Sequence, residues 1–582
     1  MEGLWCLMIV GCACHFLSSP GVSGVMINGT PKQCKVAKFV PGYNLAGEGL
    51  DIVTMQRKGA YVVNLEGWRR QNGTCTLVQN SYLGNTLQKL PTAMVDWRAL
   101  SKCKMSVQSK LYESSESLVN DTTSSVTNDW KIGLDIQTAH GVRAGWAFGG
   151  THSREANFAM AKSKKDKYSF TSHEVHCSLY RYRLASQLPL HKDFADSLKS
   201  LPKKYNCASK SSYMTLIDTY GTHYITDVHL GGRLKDVTAI RSCKAAMTGL
   251  SDTAVMDCLQ VEASVSFLQT ASLKAEYRRC QAMKKKMRLS QSFNSMFSER
   301  HAEVVGGNIK GVDLLFSGRS DSGSYSRWMK SLRTTPDIVL YSLKPLFFLM
   351  KERDPVRAGM KRAIGEYIGK KALVKRCSES CRTGNRRSAR DRCACICHAN
   401  SQITANCCPS GPGKATLTVY GLYARKLWGD RMTQTDGSVR VTYANQIKRT
   451  SVINNNDNPN WRETFDFGRI ELNMAARVYF EVYDEDSSWN SDLLGKCSFP
   501  LRQGSASQAC YFEYGTFFFS YRVSCGPSLG GTKCQDYIPS PMNPSLAKSF
   551  HSRNGFLAGE NWETLLAGNS SEGCGFEDHG GE

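Results

Sequence analysis

Five aspartates in the last third of the chain have the residue type and spacing to hold a hard cation. Asp430 and Asp436 form one acidic stretch, and Asp484-Glu485-Asp486, continuing to Asp492, forms a second. Carboxylates brought together repel, and they stay ionised together only around a cation. Flexible oxygen ligands suit calcium, which takes about six to eight oxygens, better than zinc. Aspartate is also a common turn residue, and either pair alone fits that role. His223 is a candidate of another kind, within Tyr220-Gly221-Thr222-His223-Tyr224. No nearby Ser, Cys or acid completes a triad around it, so a structural histidine is expected. A third group is cysteine: Cys377, Cys381, Cys393, Cys395, Cys397, Cys407 and Cys408 lie among Arg, Ser and Gly. A zinc module is one reading, but close C-x-C steps in an exported chain favour disulfides.

The acidic stretches need strands to hold them. Between Gly413 and Gln535, strands are expected at Leu417 and Val419, Val439 to Tyr443, Phe465 and Phe467, Val478 to Tyr483, and Tyr511 to Val523. Turn-rich stretches separate them. This predicts a β-sandwich, whose end loops cluster and would bring the aspartates together. Upstream, Val25 to Lys375 is a long mixed region with helical and alternating stretches. Within it Val261, Ala263, Val265, Phe267, Gln269, Ala271, Leu273, Ala275 and Tyr277 alternate with mostly polar neighbours. An extended chain would put the apolar groups on one face, and a membrane-crossing strand needs only about 9–11 residues. An ordinary half-buried strand fits the same pattern. Gly306-Gly307, after Glu303-Val304-Val305, suits a bend.

Composition bounds the compartment and the partners. Lys and Arg number 74 against 51 Asp and Glu, a net charge of +23, which favours anionic surfaces or polyanions. Leu4 to Leu17 is an apolar run followed by Val22-Ser23-Gly24, so residues 1–24 read as a signal peptide, although the start carries Glu2 and no Lys or Arg. No later segment is long and apolar enough to span as a helix. Three of 23 cysteines leave with the signal, and 23 − 3 = 20 is an even number for an oxidising compartment. Asn28, Asn72, Asn120 and Asn569 begin glycosylation sequons. Export disfavours nucleic acid as the partner and leaves lipid headgroups or acidic polysaccharide.

Two stretches resemble known families. Lys414 to Cys525 resembles a C2 domain through Asn458-Pro459-x-Trp461, Asp484-x-Asp486 and Asp492-Leu493-Leu494-Gly495. The resemblance implies that Asp430, Asp436, Asp484, Asp486 and Asp492 bind Ca2+, with Trp428 and Trp489 beside them at a lipid interface. Tyr220 to Tyr224 followed by Gly231-Gly232 resembles the signature of the membrane attack complex/perforin (MACPF) domain. Phe39-Val40-Pro41-Gly42, Ala46 to Gly49, Asn128-Asp129-Trp130 and the Arg300 to Gly307 run support it. With the cysteine-rich segment read as EGF-like, the order of modules is similar to that of pore-forming members of the MACPF/CDC superfamily.

The implied fold is multidomain α+β: a MACPF domain with a bent antiparallel sheet flanked by helical clusters, a disulfide-rich EGF-like segment, and an all-β C2 sandwich. The expected boundaries are 1–24, 25–375, 376–412, 413–536 and a loosely held tail at 537–582. The resemblance implies a non-enzymatic, calcium-dependent cytolysin, secreted through cytotoxic granules, that docks on target-cell lipid. There it would form a homo-oligomer and insert β-hairpins; acidic proteoglycan and granule proteases are further implied partners. A non-lytic membrane-binding or adhesion protein is the alternative. Two helical clusters would unwind into the hairpins: Val261 to Gly306 holds the second, expected to be helical before assembly. The first is expected between about Ser125 and Leu188, where Tyr168, Phe170, Val175, Cys177, Leu179, Tyr180, Tyr182 and Leu184 alternate with a slip at Leu179-Tyr180. The basic stretch Arg278 to Arg288 is expected near the hairpin tip or in the lumen. Arg431 and Ser487 depart from the aromatic pattern of membrane-contacting loops, Ser491 stands where an acid is common, and Val78 stands where a cysteine is common.

Overall fold

A computed structural model describes residues 25–540 except 125, 127–129, 135–148, 269–272, 288–289, 309–314, 317–321, 373, 378–385, 388–394, 430 and 488–489, and also 550–552 and 555–558. Its amino-terminal body is built on a seven-stranded antiparallel sheet. The strands are β1 (Glu48–Asp51), β2 (Gln56–Tyr61), β3 (Met94–Tyr112), β4 (Tyr168–Leu184), β5 (His223–Arg241), β6 (Arg300–Val305) and β7 (Asp337–Pro345). The order is β2-β1-β5-β4-β3, and β6 and β7 follow one another along the free edge of β5. β5 is buried on both faces for most of its length, and Ile225, Val228, Leu230, Leu234, Val237 and Ile240 carry that burial.

Helices connect and cover these strands. α1 (Ser115–Ser124) and α2 (Arg154–Ser163) lie in the connection from β3 to β4. α3 (Lys210–Tyr220) precedes β5, and α4 (Asp252–Leu268) and α5 (Lys274–Lys286) lie between β5 and β6. α6 (Pro355–Lys371) starts where Asp354 accepts the Val356 N–H at 2.9 Å with Pro355 in the first turn, a preferred start. Its buried Met360, Ala363, Ile364 and Ile368 join Trp97, Tyr180, Tyr182 and Tyr213 in one core.

Two corrections arise here. Tyr168 to Leu184, expected to belong to the first helical cluster, is β4, a formed strand at the centre of the sheet. The cluster itself is α1 and α2, upstream of that alternation. The slip at Leu179-Tyr180 is a β-bulge: Ser178 pairs Gly231 and Tyr180 pairs Leu230, leaving Leu179 unpaired. The tail, expected to be loosely held, pairs Gly555–Ala558 with Val374–Cys377. Tail composition failed as a guide because its average hides the short apolar stretch Phe556-Leu557-Ala558 that pairs.

The carboxy-terminal body is the predicted sandwich. One sheet holds β8 (Lys414–Arg425), β11 (Asn460–Trp461), β12 (Phe465–Glu471), β15 (Gly504–Phe512) and β16 (Gly515–Cys525). The other holds β9 (Gly437–Tyr443), β10 (Gln446–Arg449), β13 (Arg477–Ser487) and β14 (Asn490–Pro500). Val439, Val441, Phe480, Val482, Phe517 and Phe519 fill the space between the sheets. Tyr511 to Val523, read above as one strand, is the β15–β16 hairpin, turning between Phe512 and Gly515. The described disulfides are Cys34–Cys75, Cys103–Cys177, Cys243–Cys408, Cys258–Cys280, Cys397–Cys407, Cys497–Cys510 and Cys525–Cys534.

Candidate functional site

The sandwich brings three of the five aspartates to one end. Gly437, which follows Asp436, pairs with Asp484 across β9 and β13, and Asp484 pairs with Asp492 across β13 and β14. Asp484 is buried, and its Oδ1 accepts the Asp436 backbone N–H at 2.7 Å. Asp436 in turn accepts the Asn455 N–H at 2.6 Å. A Cβ on Gly429 would stand 1.6 Å from Asp484 Oδ2, so only glycine there leaves that oxygen its space. Asp486 and Asp492 are exposed. Asp430 and Trp489 lie outside the described residues, and among the described residues no three His, Cys, Asp or Glu side chains form a metal-binding group. An all-oxygen set holding one buried carboxylate fits calcium.

The loops are braced by residues the sequence reading passed over. Asp457 accepts the Thr435 N–H at 3.0 Å and its hydroxyl at 3.1 Å, tying two loops together. The Asn454 to Asn460 run, dense in Asx-turn formers, was the signal for it. Ser491 donates to Glu485 Oε2 at 2.8 Å, so this departure from the acidic pattern orients a neighbouring carboxylate. Trp428 is 47% exposed and leans on Tyr514 with ring centroids 5.4 Å apart. Met432 is exposed in the loop that carries Trp428, and Leu493 is exposed near the start of β14. Tyr514 and Met432 were missed because single apolar residues in polar loops carry no periodicity. Trp461 of the Asn-Pro-x-Trp motif is buried and donates from Nε1 to the Gly437 carbonyl at 3.1 Å, so its part is packing.

The Tyr220 to Tyr224 stretch closes α3 and opens β5. Gly221 takes φ +82° and lies against the Leu50 backbone, 2.5 Å from where its Cβ would be, so no side chain fits. Thr222 Oγ1 accepts the Ile52 N–H at 3.0 Å, joining the signature to β1. His223 is fully buried; its Nε2 donates to the Trp130 carbonyl at 2.9 Å, leaving Nδ1 to accept from the Thr222 hydroxyl at 2.7 Å. Burial lowers its pKa to about 4 and keeps it neutral. Both ring nitrogens are engaged, in agreement with the structural role expected. Gly231-Gly232 falls where β5 changes partner from Asp337 on β7 to Val305 on β6. A Cβ on Gly231 would be 1.8 Å from the Cys177 carbonyl, and one on Gly306 (φ +75°) 2.3 Å from the Gly231 carbonyl.

Around this junction sit the two helical clusters. In the second, Val261 and Ala263 are buried, Leu273 is half-buried, and Val265, Ala275 and Tyr277 are exposed. A period-2 pattern wound into a helix scatters its apolar residues around the axis, so this face is not coherently covered. The Phe267 side chain and Ala271 lie outside the described residues, as does Asn569; Asn28, Asn72 and Asn120 are exposed. Gln260 accepts from Ser109 Oγ at 2.7 Å and donates to the Val107 carbonyl at 3.2 Å, docking α4 on β3. Glu262 accepts the Phe293 and Asn294 N–H groups at 2.9 and 2.7 Å, and Cys258–Cys280 joins α4 to α5. In the first cluster Glu155 on α2 pairs with Lys235 on β5 at 2.8 Å and accepts from Thr122 on α1 at 2.9 Å. Burial alone would raise the Glu155 carboxyl, but the Lys235 ammonium holds it below its ordinary value.

Known proteins share this arrangement. The MAC/Perforin domain family matches residues 39–377, the Perforin-1-like EGF domain residues 376–410, and the C2 domain residues 415–514. Perforin-1 of Homo sapiens is 40% identical over 513 residues, 88% of this chain and 92% of that protein. Perforin-1 of Mus musculus is 38% identical over 541 residues, 92% of this chain and 97% of its own length. A solved structure described as a C2 domain is 36% identical, covering 19% of this chain and 98% of that one at a TM-score of 0.18.

Proposed function

Since the chain belongs to the MAC/Perforin domain family, we propose that it is a secreted, calcium-dependent pore-forming cytolysin. The organisation supporting this reading is a MACPF domain at 25–375, an EGF-like segment at 376–412, a C2 domain at 413–536 and a tail at 537–582. Calcium held by Asp430, Asp436, Asp484, Asp486 and Asp492 docks the sandwich on lipid, where Trp428 and Trp489 enter the interface. Subunits then oligomerise, and the two clusters unwind into hairpins that close a barrel. The chain does this by refolding, and the reading calls for no catalysis. Release from cytotoxic granules, storage on acidic proteoglycan and delivery of proteases through the pore belong to the same proposal.

The observation that carries it is the placement of the clusters. α1 and α2 connect two adjacent long strands, β3 and β4, while α4 and α5 connect β5 to its neighbour β6. Each cluster therefore lies where two paired strands already point, and unwinding it prolongs an existing ladder. Lipid offers the backbone no partners, so only helices and closed barrels cross it, and a strand carrying its lipid face in water would aggregate. Keeping the segment helical until neighbours arrive meets both constraints.

Dye-loaded liposomes test the proposal with the full-length protein. Release is expected in calcium and not in chelator, and Asp484→Asn should abolish both sedimentation with the vesicles and release. Calcium-dependent binding without release would instead establish a non-lytic adhesion protein.

A further inference from the structure

The ladder between β5 and β6 fixes more than the direction of the second hairpin. Its six pairs run from Arg233 with Val305 to Thr238 with Arg300 with no register shift, and the paired numbers always total 538 (233 + 305, 238 + 300). The next bond, from the Ala239 N–H to the Glu299 carbonyl at 2.8 Å, keeps that total. The disulfide between α4 and α5 obeys the same rule: 258 + 280 = 538. On that total Val261 would face Tyr277, Ala263 would face Ala275 and Val265 would face Leu273 within the alternating segment. None of the helices needs this coincidence, because helical packing has no knowledge of a strand register 20 residues away (258 − 238).

We infer that Cys258–Cys280 is a cross-strand bridge of the inserted hairpin, already formed while the segment is helical, and that it pins the hairpin in the β5–β6 register. The inference rests on the pore-forming reading above. The two Cα atoms are 5.6 Å apart in the helical state, and directly opposed residues of an antiparallel pair stand about 4.5–5.5 Å apart, so the bridge survives unwinding unstretched. The same sheet already carries one such bridge, since Cys103 pairs with Cys177 in the β3–β4 ladder and is bonded to it.

The register also redefines the alternating run. Its centre falls at position 269 (538/2), which lies outside the described residues, so Val261 to Tyr277 is the two arms of a hairpin end and not a single crossing strand. An even total pairs odd positions with odd, so the apolar set stays on one face through the turn. From the bridge to the centre is 11 residues per arm (269 − 258, 280 − 269), and about 9–11 residues cross a bilayer. Cys258 and Cys280 therefore stand on the polar face where the hairpin enters the membrane. Lys284 to Lys286 stand above that entry and not at the far tip, and Arg278 and Arg279 stand two residues and one residue on its membrane side. A slip by one residue would pair odd positions with even and turn one arm's apolar set to the other face, and the bridge forbids it.

Pores assembled on liposomes without reductant, trapped with a thiol-blocking reagent and analysed as peptides, should contain Cys258–Cys280 intact. Release should not depend on reductant. Ser264→Cys with Lys274→Cys (264 + 274 = 538) should cross-link when oxidised after assembly, whereas Ser264→Cys with Glu276→Cys (total 540) should not. Alkylated Cys258 and Cys280 in pores, a need for reductant, or cross-linking of the shifted pair would overturn the register while leaving the pore-forming reading intact. Absence of release under every condition would remove that reading and the register with it.

Discussion

Two buried histidines make acid a direct lever on the fold. His223 donates to the Trp130 carbonyl, and His173 on β4 reaches the Met256 carbonyl of α4 at 3.2 Å; burial brings both from an ordinary 6.5 to about 4. The unfolded chain takes up these protons first on acidification. Stability conferred by the neutral rings is complete above about pH 6.5, falls as pH drops towards 4, and changes no further below that. At about 1.4 kcal/mol per unit each histidine contributes roughly 3 kcal/mol over that window. Urea midpoints at pH 7, 5.5 and 4 should trace the fall, and His223→Gln should flatten it by about half; an unchanged slope would remove His223 as a source. A second residue, Gly429, guards the acidic loops. Gly429→Ala must displace the Asp484 carboxylate and should raise the calcium needed for half-maximal vesicle binding by about tenfold or more, a cost of about 1.4 kcal/mol, with little change in melting temperature. The clustered aspartates and the Tyr220 to Tyr224 signature were legible because each is a local pattern of residue types. Asp457 and Tyr514 were not, because their parts depend on which loops the sandwich brings together.

Elements tell a different story about what can be read in advance. The alternation at Tyr168 to Leu184 and that at Val261 to Tyr277 look alike in sequence, yet the first is the formed strand β4 and the second is wound into α4 and α5. Period-2 patterning records which face a segment presents when extended and says nothing of when it becomes extended. Partner strands decide: β4 has β3 and β5 along both edges, whereas α4 and α5 lie beyond the end of the β5–β6 ladder. The clusters are held down by buried apolar residues, Val255 and Leu259 on α4 and Ala156 and Ala159 on α2, and by specific polar contacts. Glu155→Gln would leave Lys235 as an uncompensated buried charge, costing about 3–5 kcal/mol, and hydrogen exchange in α1 and α2 should quicken before the rest of the domain responds. For the second cluster, Ser109→Cys with Gln260→Cys replaces the contact between β3 and α4 by a covalent tether. Oxidised, this variant should bind vesicles normally and release no dye, and reductant should restore release; release from the oxidised form would show that α4 need not leave β3.

Across the whole molecule, the modules are fastened near the root of the second cluster. Cys243, just after β5, is bonded to Cys408 in the cysteine-rich segment, and Ser540 N–H donates to Asp166 at 3.1 Å, where Tyr537 also donates. The same neighbourhood holds the hydrogen bond from Lys167 to the Asn406 carbonyl. Module order was legible from cysteine density and turn spacing, but none of these fastenings was, because each joins positions hundreds of residues apart. The Cys243–Cys408 bond has a metrological consequence. It sets a zero mark on the hairpin, fixed to the module that leads into the lipid-binding sandwich. From that mark to the cysteine at membrane entry is 15 residues (258 − 243), about 50 Å of strand at about 3.3 Å per residue. On the inferred register, standing height above the bilayer is thus written into the chain as a residue count between two cysteines, each two residues added to both arms being worth about 7 Å of strand.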